Sequence, residues 1–402
     1  MDAFTVSFDP EMIDDLRDRL STTRWPAHGV DDGWSRGIPP GYLRELAEYW
    51  RGDFDFAAAE RALNRHPQFV ESVSGLELHF YHLRSGRPDA VAVILTHGWP
   101  STSAEFLAVM DEVQRSNATG PGVPIDLVVP TLPRHGATTA EPGSTWDVAR
   151  IARAWAELMS RLGHERYVAV GGDWGSLVSL ELARQQPQSV IGVLCSMLLV
   201  PPPGDDDAEL TDADRQRLDD WGHFDVDLSG YLKVQSTRPA TVGFGLNDSP
   251  VGQLAWTMEK FKEWNRHNEL PEDRIDRDQL LAIATLYWAH MSAAGSAHLY
   301  FDSGEHLAQL FQGQADTAPL SVPMGVTALL ADTTPPVESL VRRMYPSIVH
   351  WNEHANLGHF AALEDPSAFA AELRAFVLVL GDAVHDHRKT NEKECLDVAS
   401  AR

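Results

Sequence analysis

In Val168-Ala169-Val170-Gly171-Gly172-Asp173-Trp174-Gly175-Ser176, an apolar run meets the start of a helical pattern, with glycine two places before and two places after Asp173. This is the spacing of a nucleophile elbow, Gly-x-Ser-x-Gly, with Asp in the place of Ser. Side chains at the flanking positions would clash in so tight a turn, and the central side chain stands over a helix N-terminus that favours a carboxylate. A carboxylate held in this way can attack an electrophilic sp³ carbon and form an alkyl ester. The plainer reading is that Asp173 caps the helix starting near Gly175. Its companions weigh against that. Thr96-His97-Gly98-Trp99-Pro100 follows the apolar run Val91 to Thr96, where an elbow enzyme keeps a backbone N–H for an oxyanion. An acid and a histidine should then follow the nucleophile in that order. Asp332 ends the run Val326 to Ala331, and His359 stands in Asn356-Leu357-Gly358-His359-Phe360 before the last helical pattern. A strand-end turn and an ordinary loop histidine are the plain alternatives for these two. Glu338 and His354 compete less well, since neither sits at the end of its element.

Such residues need a scaffold that gathers loop ends along one edge. From Val91 the chain alternates apolar strand runs (Val91 to Thr96, Asp126 to Thr131, Tyr167 to Val170, Val190 to Leu199) with helical patterns (Ala104 to Val113, Val148 to Leu162, Leu177 to Arg184). Strands without a polar face belong to a parallel sheet covered on both sides, so the expected class is α/β. Ahead of this series, residues 10 to 70 keep helical spacing, and a period of two sets in from about Phe69. At Pro201-Pro202-Pro203-Gly204 the alternation breaks, and helical patterns such as Ala255 to Trp264 and Leu280 to Met291 dominate. The strand pattern returns at Gly325 to Ala331, and a last helix runs from about Ser367 to Leu380. The expected division is an N-terminal region over 1–85, a first core part over 86–202, a helical lid over 203–315, a second core part over 316–385 and a polar tail over 386–402.

The chain has 402 residues, with 33 Lys+Arg against 58 Asp+Glu and a net charge of −25. A surface this acidic repels phosphate backbones, which argues against nucleic acid as the partner. No apolar run reaches the length of a membrane span, and the N-terminus has neither the basic nor the apolar part of a signal peptide. With Cys195 and Cys395 as its only cysteines, the chain has no disulfide framework, which suits a reducing cytoplasm. No His-Glu-x-x-His occurs among the 17 His, so no metal is expected.

The chain resembles the epoxide hydrolases of the microsomal type within the α/β-hydrolase superfamily, over nearly its whole length. Asp15-Leu16-Arg17-Asp18-Arg19-Leu20, Thr23-Arg24-Trp25-Pro26 and Leu63-Asn64 resemble that family's N-terminal domain. His97-Gly98-Trp99-Pro100 and Gly171-Gly172-Asp173-Trp174-Gly175 match its catalytic motifs. Gly230-Tyr231, Gln235-Ser236-Thr237-Arg238-Pro239 and Leu246-Asn247-Asp248-Ser249-Pro250-Val251-Gly252 resemble its lid. The resemblance implies an α/β-hydrolase fold with a helical lid and an N-terminal helical extension. It also implies Asp173 as nucleophile, Asp332 as acid, His359 as base, and Tyr231 and Tyr300 as the lid tyrosines that hold the epoxide oxygen. The chain departs from the family at Leu132-Pro133-Arg134-His135-Gly136-Ala137-Thr138, where the family continues Leu-Pro-Gly-aromatic-Gly.

The chemistry expected is conversion of an epoxide to a vicinal diol without any cofactor. A phenol stays protonated at neutral pH and can give its proton to the opening ring. His359 would activate water while Asp332 fixes its tautomer. Backbone N–H groups of Trp99 and Trp174 would hold the oxyanion. His97, Trp174, Arg134 and His135 are the expected substrate contacts, and a bulky or secondary-metabolite epoxide is the expected substrate. A homodimer is left open. The alternatives are a biosynthetic tailoring enzyme that opens an epoxide with a nucleophile other than water, and a haloalkane dehalogenase. The tyrosine pair weighs against a dehalogenase, and the position of Ser176 past the elbow weighs against a serine esterase.

Overall fold

The structure is a computed structural model that describes residues 1–27, 33–119, 122–199, 210–311 and 320–381. Strands β1 (Asp2–Ala3), β2 (Gln68–Val73), β3 (Leu76–Leu83), β4 (Val91–Thr96), β5 (Ile125–Pro130), β6 (Thr139–Ala140), β7 (Tyr167–Gly171), β8 (Val190–Cys195), β9 (Met324–Leu329) and β10 (Ile348–His354) form one sheet. Its order is β1-β2-β3-β5-β4-β7-β8-β9-β10, with β6 beside β3. From β5 to β10 all pairings are parallel; β1, β2, β3 and β6 are antiparallel. The inner strands β4, β7, β8 and β9 are buried at every position, as their unbroken apolar sequences require.

Right-handed crossovers fix the layers. The step from β4 to β5 runs opposite to the steps from β5 to β7 and β8. Helix Leu107–Thr119 therefore lies on one face, and helices Val148–Arg161 and Trp174–Gln185 lie on the other. Helix Pro366–Val379 packs beside the first of these. The parallel arrangement sends the loops after β4, β7 and β9 to one edge, where β4 and β7 end in register at Thr96 and Gly171.

Between β8 and β9 the chain leaves the sheet for helices over Asp212–His223, Gly230–Thr237, Pro239–Asp248, Pro250–Glu263, Arg277–Ala289, Ser292–Asp302 and Gly304–Phe311, which form the lid. The N-terminal helices Pro10–Ser21, Pro40–Gly52 and Phe56–Leu63 pack against it. Trp50, fully buried, donates its indole N–H to Thr285 Oγ1 at 3.0 Å. Tyr42 and Tyr49 donate to Glu272 and Asp278, both at 2.9 Å. The aromatic positions of the N-terminal region thus face the lid.

Several boundaries differ from those read in the sequence. Residues 1–85 contribute three strands to the sheet, so the N-terminal region is continuous with the core. The strand expected over Val190 to Leu199 ends at Cys195, where the chain turns toward the lid. The helix expected at Ala104 begins as a 3₁₀ turn, Ser103–Phe106, capped by the Thr102 hydroxyl. Strand β10 was not anticipated, because an edge strand half open to solvent carries His350, Asn352, Glu353 and His354 where inner strands carry Val and Leu. The break at Pro201-Pro202-Pro203-Gly204 and the tail over 386–402 lie outside the described residues. Among the described residues, no helix is long and apolar enough to cross a membrane.

Because Trp50 fills buried volume between the N-terminal region and the lid, Trp50→Ala should lower stability by about 3–5 kcal/mol. Urea unfolding of the variant against wild type measures this.

Candidate active site

Asp173 sits at the elbow between β7 and its following helix with φ 50° and ψ −128°, a conformation rare for a residue with a side chain. Close packing holds it there. A Cβ on Gly175 would lie 2.0 Å from the Thr96 carbonyl oxygen, and one on Gly171 would lie 2.3 Å from the Gly175 backbone. The Ser176 hydroxyl donates to the Gly171 carbonyl at 2.7 Å, closing the turn. Ser176 is fully buried and structural, which disposes of it as a nucleophile.

The loop after β4 brings its backbone to Asp173. Trp99 N–H donates to Asp173 Oδ1 at 2.9 Å. His97 holds the loop in place: Nδ1–H donates to the Gly98 carbonyl at 2.8 Å, and Nε2 accepts from Leu132 N–H at 3.0 Å. Burial keeps this imidazole neutral, its pKa well below the ordinary range. Trp174 is the first residue of the helix behind Asp173, and its N–H has no intrahelical acceptor.

His359 faces two carboxylates. Its Nδ1–H donates to Asp332 Oδ2 at 2.9 Å, and its Nε2 lies 3.6 Å from Asp173 Oδ2. Asp332 turns its other oxygen to the backbone, accepting from Thr333 N–H at 2.6 Å and from Thr334 N–H at 3.4 Å. His359 N–H donates to the Trp264 carbonyl at 2.9 Å, and the two rings meet edge-on at 4.5 Å. Burial alone would lower the pKa of His359. The Asp332 and Asp173 carboxylates outweigh it and raise the pKa to about 10. The imidazole is therefore protonated at neutral pH.

Above Asp173 stand two phenols from the lid. Tyr231 and Tyr300 meet edge-to-face with centroids 5.9 Å apart. Trp99 stacks on Tyr231 at 5.1 Å, and Trp174 packs against Tyr300 at 4.8 Å. The Tyr300 hydroxyl is buried and has no hydrogen-bond partner among the described residues. Burial pushes both phenols well above their ordinary pKa, so both stay protonated. Asp173 and the two tyrosines share a cavity of about 60 Å³, whose remaining wall includes Leu177, Met197 and Leu232.

The structure thus brings together Asp173, Asp332, His359, Trp99, Trp174, Tyr231 and Tyr300. It separates three expected substrate contacts from that cavity. Both ring nitrogens of His97 bind backbone. Arg134 reaches Asp302 of the lid, Nη1 to Oδ2 3.6 Å, and donates to the Ser144 carbonyl. His135 is fully buried, donates from Nδ1 to the Pro133 carbonyl at 3.0 Å, and packs against His97 and Tyr287. These three support the loops and do not line the space beside Asp173. The competitors are elsewhere: His354 pairs with Glu372, and Glu338 pairs with Arg342.

Sequence reading missed Trp264 and Glu105. Trp264 ends a lid helix and carries no motif. Glu105 lies shortly after His97-Gly98-Trp99-Pro100, and burial pushes its carboxyl up to about 8. Its closeness to an elbow loop was the available signal. Among the described residues, no group of three or more His, Cys, Asp or Glu is placed to hold a metal ion.

The raised pKa of His359 has a consequence for stability. A histidine bound more tightly to its proton in the folded state stabilises the fold below its unfolded pKa, and loses that contribution as pH rises through the folded value. The stability advantage of wild type over Asp332→Asn should therefore be full below pH 6.5 and shrink toward pH 10. Urea unfolding of both proteins across that range measures the difference, and an advantage constant with pH would contradict the ion pair.

The comparisons with known proteins agree with this geometry. Residues 1–106 match the family described as epoxide hydrolase N terminus, and residues 93–372 match the alpha/beta hydrolase family. A homologue from Stigmatella aurantiaca (strain DW4/3-1) is 38% identical over 374 residues, covering 92% of this chain and 83% of its own. Epoxide hydrolase 1 of Sus scrofa is 29% identical over 405 residues, covering 94% and 88%. The structure of Aspergillus niger epoxide hydrolase superposes with a TM-score of 0.84 at 30% identity, covering 94% of this chain and 96% of that one. With both halves of the architecture matched and the elbow, loop and lid in place, the chain belongs to the epoxide hydrolases of the microsomal type, within the α/β-hydrolase superfamily.

Proposed function

We propose that the protein opens its epoxide through a covalent ester on Asp173 and hydrolyses that ester with His359. One observation carries the reading. The Asp173 carboxylate has one oxygen on the Trp99 N–H at 2.9 Å and the other 3.6 Å from His359 Nε2, beneath two buried, protonated phenols.

In the first half-reaction an Asp173 oxygen bonds to an epoxide carbon as the ring C–O bond breaks. The released oxygen takes the proton of Tyr231 or Tyr300, leaving a phenolate. Asp173 is now a neutral ester, so His359 loses one of the two charges that raise its pKa. Its proton can pass back to the phenolate, which restores the phenol and leaves a neutral imidazole. In the second half-reaction His359 takes a proton from water, and the water oxygen attacks the Asp173 carbonyl carbon. Trp99 N–H, joined by Trp174 N–H, holds the oxyanion. The acyl C–O bond then breaks, and the diol leaves with the oxygen Asp173 supplied and the remaining water proton. The carboxylate and the imidazolium are regenerated.

A dehalogenase has no use for protonated phenols, since a halide leaves as an anion. The apolar wall of Leu177, Met197 and Leu232 suits an epoxide with apolar substituents. A bulky or secondary-metabolite epoxide exceeds about 60 Å³ and would have to extend beyond this cavity. An unusual nucleophile has lost its motive, because Arg134 and His135 stand away from the reacting atoms.

Single-turnover reaction in isotopically heavy water, with enzyme in excess, tests the covalent route. The first diol should carry ordinary oxygen from Asp173; heavy oxygen in that diol would mean direct attack by water. Tyr231→Phe and Tyr300→Phe should each slow ring opening by roughly 10²-fold, the lower range for acid catalysis. Rapid-mixing measurement of the alkylation step reads this directly, and wild-type rates in both variants would remove the phenols from the mechanism.

A further inference from the structure

Lys260 lies in the lid helix Pro250–Glu263 with its side chain only 4% exposed. An ammonium is rarely found so deep, because losing its water is costly unless it is paired. Here Nζ is held by Glu259 Oε2 at 2.7 Å and by Glu263 Oε2 at 3.0 Å. Those ion pairs would form as well at a surface, where they cost less. What burial adds is a position: Nζ lies over the ring of Tyr231, 5.1 Å from its centroid. Trp99 stacks on that ring with an interplanar angle of 6°, and Trp264 packs beside it at 5.3 Å. The ring is thus fixed by two indoles and faced by a cation.

We propose that Lys260 is a positioning residue for ring opening, its ammonium stabilising the phenolate that Tyr231 becomes when it gives up its proton. The inference rests on the function proposed above. As the bond from Asp173 to the epoxide carbon forms and the ring C–O bond breaks, the epoxide oxygen takes the Tyr231 proton. The O–H electron pair stays on the phenol oxygen and spreads into the ring. A neutral phenol attracts a cation only through its quadrupole, whereas a phenolate attracts it with a full charge. The interaction is therefore stronger in the transition state than in the ground state, which is the condition for accelerating the step. Three carboxyl groups, Asp173, Asp332 and Glu263, act on the same phenol and oppose the effect. The ester forming on Asp173 removes the first, burial raises the proton affinity of Glu263, and Lys260 neutralises part of its charge. Among the described residues the cation–ring contact is made to Tyr231 and not to Tyr300, so Tyr231 is the member of the pair that Lys260 can assist.

The test separates the two half-reactions by rapid mixing with styrene oxide under single-turnover conditions. Lys260→Met should slow alkylation by about tenfold and leave ester hydrolysis within about twofold of wild type. Lys260→Arg should recover most of the loss. Because Met leaves Glu259 and Glu263 without their cation, Lys260→Met/Glu263→Gln is measured beside it and should show the same selective loss. In a Tyr231→Phe background, Lys260→Met should cost nothing further, since no phenolate remains to stabilise. Wild-type alkylation in both Lys260 variants, with Tyr231→Phe slowed, overturns this inference alone. Equal slowing of both half-reactions, or a full additional loss on top of Tyr231→Phe, reduces Lys260 to packing and also overturns it. If Tyr231→Phe alkylates at the wild-type rate, the tyrosine reading fails and takes this inference with it.

Discussion

The left-handed backbone at Asp173 is the constraint on which the rest of the site depends. A residue with a Cβ at φ 50° stores on the order of 1–3 kcal/mol, which surrounding packing has to offset. The offset comes from the centre of the sheet. Strand β7 is buried between β4 and β8, and the helix after the elbow is buried along most of its length. Ser176 ties the two ends together, donating to the Gly171 carbonyl and accepting from Met197 N–H at 3.3 Å. Relaxing the elbow would mean separating strands of the core. The same tightness decides what may approach. A side chain at Gly98 would overlap Asp173, with its Cβ 2.4 Å from the carboxylate, so only a bare backbone can bring the Trp99 N–H into reach.

The elbow also sets the charge balance. Two carboxyl groups, Asp173 and Asp332, flank His359 in a space from which water is largely excluded. Each carboxylate holds the proton on His359, and the backbone N–H groups of Thr333 and Thr334 anchor Asp332. On the proposed route, esterification of Asp173 removes one of these carboxylates without moving any heavy group far. The imidazolium then becomes a stronger acid and can release its proton, so on this route His359 serves as a base only once Asp173 has been esterified. On the proposed route the electrostatics would then set the order of the two half-reactions, with an unalkylated Asp173 holding the proton on His359.

How far the sequence discloses this depends on what carries each signal. Asp173, Asp332 and His359 stand at element ends, and the alternation of apolar runs with helices locates those ends, so chain order alone brings them together. Tyr231 and Tyr300 are different. They lie inside helices whose spacing gives no reason to prefer them to Tyr287 or Tyr345, and only the resemblance of the lid motifs picks them out. Strand β10 escapes because edge strands need no unbroken apolar run. Arg134 and His135 mislead because a departure from a family pattern reads as a change of chemistry, while the structure uses them for support. Lys260 and Trp264 are invisible because long-range packing, not local spacing, brings these lid residues to Tyr231 and His359.

That packing gives the N-terminal region its meaning. Tyr231 and Tyr300 belong to the lid helices Gly230–Thr237 and Ser292–Asp302, which touch each other but have no covalent support near Asp173. Their height above the elbow is set by neighbours. Helix Pro250–Glu263 contacts the N-terminal helices Pro10–Ser21 and Pro40–Gly52, and helix Arg277–Ala289 contacts Phe56–Leu63. Trp50 bonds to Thr285, and Arg19 bonds to Asp248 at 3.1 Å. From the core side, Arg134 faces Asp302, which also accepts from Trp146 N–H at 2.8 Å. The lid is thus clamped between an N-terminal layer and the loop after β5. Small displacements of a proton donor weaken its hydrogen bond steeply, since useful bonds span only a few tenths of an ångström. A lid that carries both phenols therefore needs rigid backing on more than one side, and the N-terminal helices supply the side that the sheet cannot reach.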